Sequence, residues 1–264
     1  MLATLLAAEL IGGVASLAVV PRRPVIATLT VGDGRTIVAE NLGAGSGREL
    51  LSRVAAAMGP AVAAVEAFWG TDWTRRIQLT ATGSDQQFAE LAGGGADASQ
   101  WADVAAIAVA DRVDPDRRTA QGQRIVFAPD AVTMSSSALQ IVVTHELFHY
   151  AARIDTALDA PRWLTEGVAD FVARPARGAG PVWAGPLSLP SDVELNTPGP
   201  GRVQAYDRAW EFARFVADRF GSAKLRDLYL SACGPGHLEP ALAVVLVLGV
   251  DLPDLLTIWQ RWRD

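Results

Sequence analysis

Apolar side chains recur at intervals of three and four through Leu50, Leu51, Val54, Met58, Val62, Val65 and Phe68. That period predicts a helix over 48–69 with one face able to cover a sheet, kinked at Pro60. The same spacing runs through Trp210, Ala213, Ala217 and Phe220 and predicts a helix over 207–220 that stops at Gly221. Further helices are predicted over 225–232, 240–248 and 252–262, and the apolar run 242–250 is too short to span a membrane. Short β-prone runs at 25–30, 36–39, 77–82, 104–109 and 124–128 read as strands, the first two joined by a hairpin turn at Gly32-Asp33-Gly34. Ser84 with Gln87 three residues on is a capping-box start for a short helix to Leu91, ended by Gly93-Gly94-Gly95. That glycine run lacks the Lys-Ser/Thr of a phosphate loop and reads as a turn. The stretch 111–123 is charged and turn-rich, and 174–202 is a Pro- and Gly-rich covering or mobile loop.

Strands dominate the first half and helices the second, so the expected class is α+β. A small mixed sheet with its helices, residues 24–134, packs on an α-helical lobe, 135–264, and the two form one domain over 24–264. Before it, Leu2 to Val20 is apolar apart from Thr4, Glu9 and Ser16, and Pro21-Arg22-Arg23-Pro24 follows. Nineteen helical residues rise about 28 Å, close to the hydrocarbon thickness of a bilayer. Residues 1–23 are therefore expected to form an apolar helix acting as a signal or membrane anchor, with a helix packed on the domain as the alternative. The expected location is membrane-anchored or secreted, outside the cytoplasm. The arginines that follow the segment support the cytoplasmic alternative.

Half of the residues are hydrophobic and a fifth charged, which excludes a disordered chain. A net charge of −6 argues against a nucleic-acid partner, because there is no excess of Lys and Arg to neutralise phosphates. The single cysteine, Cys233, excludes an internal disulfide.

Two of the three histidines lie in Thr144-His145-Glu146-Leu147-Phe148-His149. The apolar flanks Leu139, Val142, Val143, Leu147 and Phe148 make the segment helical, with a start near Ser135-Ser136-Ser137, so His145 and His149 stand one turn apart on one face. Two imidazoles so placed can grip one metal ion, and a catalytic zinc takes three protein ligands and leaves a fourth position to water. Glu166, in Trp163-Leu164-Thr165-Glu166-Gly167, is the candidate third ligand, on a second helix beginning near Asp159-Ala160-Pro161. Asp170 lies one turn further and is placed to accept the free ring N–H of a ligand histidine. Glu146 sits between the histidines without being needed as a ligand, which is the position of a general base. Two histidines and a carboxylate also describe the facial triad of non-haem iron oxygenases, although the glutamate between the histidines favours zinc hydrolysis.

These residues resemble the gluzincin metallopeptidases, and within them the compact peptidase MA-like group. The likeness rests on His145-Glu146-Leu147-Phe148-His149, on Trp163-Leu164-Thr165-Glu166-Gly167, with sixteen residues between His149 and Glu166, and on the following Ala169-Asp170-Phe171. It implies a zincin-like fold, Zn2+ held by His145, His149 and Glu166, catalysis by Glu146, and a peptide or protein substrate. It also gives Tyr206 two readings, a hydroxyl donor to the oxyanion or a half-buried core residue. Residues 125–128 likewise read either as a ledge for an extended peptide or as an interior strand. His237 and Cys233, in Cys233-Gly234-Pro235-Gly236-His237, are too few for a zinc site and read as a surface turn. The rival functions are an inactive metal-binding interaction module at the membrane and a metallohydrolase of a non-peptide amide.

Overall fold

The structure is a computed structural model that describes residues 6–7, 25–31, 34–94, 101, 103–174 and 188–263. It is a mixed α/β chain with a small mixed sheet and a helical C-terminal part, and it divides into two compact units, 1–154 and 155–264.

In the first unit, β1 (Leu6–Ala7), β2 (Val25–Val31), β3 (Arg35–Asn41), β4 (Arg76–Ala81), β5 (Val104–Val109) and β8 (Arg124–Phe127) form one sheet in the order β1-β5-β8-β4-β3-β2. The β2–β3 hairpin is antiparallel, and Gly34 at its turn has φ 97°, a conformation glycine reaches without strain. Strand β4 runs parallel to both β3 and β8, whereas β5 runs antiparallel to β8. Ile125, Val126 and Phe127 are all fully buried, as befits a central strand covered on both faces. The ledge reading of 125–128 is thereby overturned, because both edges of β8 are already paired.

The stretch 111–123 holds a separate hairpin of β6 (Arg112–Asp114) and β7 (Thr119–Gln121), which its charged sequence concealed. Helix α1 (Ala44–Trp69) starts four residues before the expected position and runs through Pro60. Just before its start Asn41 Oδ1 accepts from Gly43 N–H at 2.8 Å, and a Cβ on Gly47 would stand 2.0 Å from that oxygen. By length and hydropathy α1 would also pass as a membrane span, yet it packs on α3 (Ser136–Ala152) and on β3 and β4, as a core helix does. Helix α2 (Asp85–Leu91) is capped by Ser84, whose hydroxyl accepts from Gln87 N–H, while the Gln87 side chain accepts from Gly83 N–H at 2.8 Å. The reciprocal bond thus reaches one residue further back than in an ideal capping box. Phe88 and Ala89 of α2 join Trp101, Val104, Ile107 and Val126 in a buried cluster.

For residues 1–23 the expectation of an apolar helix fails at Leu6–Ala7, a two-residue strand parallel to β5. The rest of that segment lies outside the described residues. The lobe boundary drawn from sequence at 134/135 differs from the division of the structure, which groups α3 with the sheet.

The second unit contains α4 (Arg162–Ala173), α5 (Asp192–Asn196), α6 (Pro200–Phe220), α7 (Ser222–Cys233), α8 (Pro240–Leu248) and α9 (Leu252–Arg263). Helix α6 begins seven residues before the expected start, with Pro200 in its first turn, where a missing N–H costs nothing. Residues 175–187 of the expected loop lie outside the described residues. Beyond them the loop reading is corrected by α5, whose Ser191 and Glu194 form a complete capping box.

Candidate metal centre

Helix α3 starts where its N-cap permits: Ser135 Oγ accepts from Ala138 N–H at 3.1 Å. From Val142 to Ala152 every side chain is buried, because α1 lies against this helix and β5 and β8 lie against it as well. His145 and His149 therefore sit in the interior, which the apolar flanks alone did not foretell. Their Nε2 atoms are 3.0 Å apart.

Glu166 is fully buried on α4. One ligand atom from each of His145, His149 and Glu166 lies within 4.8 Å of the other two, and among the described residues this is the group with metal-ligand spacing. Two nitrogens bound at about 2.05 Å around a tetrahedral zinc would stand ~3.3 Å apart, so the observed 3.0 Å needs little adjustment. To bind, each imidazole must be neutral and carry its hydrogen on Nδ1. Two neutral nitrogens and one carboxylate are a donor set for a divalent cation, and these three residues fit one.

Glu146, also fully buried, turns its carboxylate to the sheet: Oε2 accepts from the backbone N–H of Ala108 at 2.6 Å. Arg153, just past the end of α3, donates to the carbonyl of the same residue, also at 2.6 Å. A side chain of α3 and one just beyond its end thus hold both polar groups of the Ala108 backbone. That clamp is invisible in the sequence, since nothing about an alanine marks its amide.

On α4 the carboxylates are matched with arginines at the two ends of the helix. Arg162 donates to Glu166 Oε1 at 3.1 Å and also bonds Asn196 Oδ1. Arg174 donates to Asp170 Oδ2 and to Asp207 Oδ1, each at 2.6 Å. Burial works against the charge on Arg174, but Asp170 and Asp207 outweigh it and raise its pKa. Asp170 is thus placed in an arginine bridge from α4 to α6. These arginines were missed, although Arg162–Glu166 and Asp170–Arg174 both show the i,i+4 spacing that would have found them.

Gly167, next to Glu166, is needed for packing: a Cβ there would stand 2.4 Å from the Ala209 carbonyl oxygen, so α6 can approach α4 only past a bare Cα. Tyr206 is buried within α6, away from its start. The surface turn read between Cys233 and His237 is present: Pro235 and Gly236 are exposed, and His237 N–H donates to the Gly234 carbonyl at 2.9 Å, while Cys233 is buried at the end of α7 and the half-buried His237 has its Nε2 3.3 Å from Asp159 Oδ1.

No family model, curated protein or solved structure matches this chain.

Proposed function

We propose that this chain is a zincin-like, zinc-dependent hydrolase of peptide bonds, with His145, His149 and Glu166 as metal ligands and Glu146 as general base. The observation that carries the reading is the meeting of the three buried ligand atoms, with a buried carboxylate on the same helix left outside the ligand set. Bound there, zinc supplies an acidified water and a Lewis acid for the scissile carbonyl. Glu146 takes the proton of the attacking water and hands it to the leaving amine. The Ala108 N–H fixes the orientation of the Glu146 carboxylate, so the base is positioned before substrate arrives. Arg162 steadies the Glu166 carboxylate through one oxygen, as outer partners of metal ligands do. Tyr206 belongs to the proposal as a donor to the oxyanion, and Asp170 as the residue that orients a ligand histidine.

The decisive experiment is Glu146→Gln, which preserves size while removing basicity. Metal content should be kept and turnover should fall by about 10²–10⁴ or more, read by mass spectrometry on a broad peptide library. Equal cleavage by both proteins would sink the assignment of Glu146. Cleavage by neither would favour the inactive binding module or a non-peptide amide substrate. Membrane attachment or export through residues 1–23 is part of the same proposal. It fails if deletion up to Pro24 unfolds the chain, an outcome to which the pairing of Leu6–Ala7 with β5 would contribute.

A further inference from the structure

A second site is suggested in the helical unit by side chains the metal centre does not use. A cavity of about 380 Å³ is lined by Arg174, Trp210, Arg214, Asp218, Ser222 and Trp262, among others. Arg174 and Arg214 lie over the Trp210 ring at 4.9 and 4.8 Å, and Arg214 also lies over Trp262 at 5.8 Å, giving an alternating ladder of guanidinium and indole groups. The two arginines differ in one respect. Arg174 is neutralised by Asp170 and Asp207, whereas Arg214 has its indole contacts and no ion pair among the described residues. Stacking occupies the faces of a guanidinium and leaves its in-plane N–H edge to bind, which is the edge that grips carboxylates and phosphates in a fork. Of the two acids nearest to Arg214 in sequence on this helix, Glu211 is paired with Arg263 at 3.1 Å and Asp218 accepts from the Trp262 indole N–H at 2.8 Å through its Oδ2. Ser222, on the cavity wall, opens α7, and the N-cap Gly221 supplies no side-chain acceptor for the amides of that first turn.

We propose that this cavity binds a small oxyanion, a carboxylate or a phosphate, held by the in-plane edge of Arg214 with the Ser222 hydroxyl as a second donor. The inference is independent of the metal centre, and its failure would leave that reading intact. The test is calorimetric titration of the full chain with sodium phosphate and, separately, sodium acetate, at an ionic strength held by sodium chloride. Saturable binding of at least one is expected: phosphate alone identifies a phosphoryl ligand, and acetate, alone or with phosphate, a carboxylate. Arg214→Lys keeps the charge but loses the planar guanidinium and with it the fork, and should weaken binding about tenfold. Ser222→Ala, which removes one donor far from the core, should weaken it about threefold. Absence of saturable binding of both anions to the folded chain would overturn the proposal, as would unchanged affinity in both variants.

Discussion

Helices α3 and α4 carry the candidate ligands, and they solve the burial of polar groups in opposite ways. In α3 the buried carboxylate of Glu146 is matched by a backbone amide from a strand 38 residues earlier in the chain. In α4 the buried carboxylates of Glu166 and Asp170 are each matched by an arginine four residues away, at the first position of the helix or just past its last. Long-range matching makes the geometry of α3 depend on the finished sheet, whereas local matching lets α4 carry its partners with it. Both give a buried carboxylate a hydrogen-bond donor, and on α4 that donor is also an opposite charge, so the cost of breaking each contact follows from which kind it is.

The largest effect expected is on the ligands themselves. His149→Ala leaves two donors where three are needed, so metal measured by atomic emission on purified protein should fall from one per chain to a trace. Full occupancy in that variant would dissolve the comparison at its root. Next is Arg174→Ala, which leaves Asp170 and Asp207 without their shared cation. Breaking a buried pair from one side costs about 3 kcal/mol or more, and denaturant unfolding should show it. Gly167→Ala tests the packing of α4 on α6, with an expected loss of about 1–3 kcal/mol because the new Cβ meets backbone and not a flexible side chain.

The smallest effect concerns Glu194 in α5. The Ser191 backbone N–H, and after it Arg208, hold its carboxyl at about 2, below the ordinary 4.5. A lowered folded-state pKa means that the stabilisation is present above about pH 4.5 and is lost as pH falls towards 2. Glu194 is exposed, so solvent screening limits the effect to below about 1 kcal/mol. Glu194→Gln should flatten the acid limb of the stability curve by that small amount, and an unchanged curve would deny the capping box its electrostatic part.

What could be read from the sequence divides along the same line. His145 and His149, the Ser135 and Ser84 caps, and Glu166 beside Gly167 are local patterns, and the structure places them where their spacing indicated. The interior place of β8 was not legible, because strand order depends on pairings across tens of residues and an apolar run looks alike in the centre and at an edge. The clamp on Ala108 was hidden for the same reason. The β6–β7 hairpin was missed because Arg112-Val113-Asp114 and Thr119-Ala120-Gln121 alternate polar and apolar over only three residues each, too short a run to stand out from a charged turn.

The central place of β8 also sets an order of events as the chain emerges during synthesis. Its neighbours β4 and β5 are both made earlier and do not pair with each other, so the gap between them stays open until residues 124–127 arrive. Until then the nascent sheet exposes two unpaired strand edges, the surfaces most prone to joining another chain. Helix α3 begins only nine residues after β8 ends, so the strand that closes the sheet is followed almost at once by the helix that packs on it. A nascent chain halted before Arg124 should therefore be held by chaperones or aggregate, and one halted after Ala152 should have the means to fold its sheet.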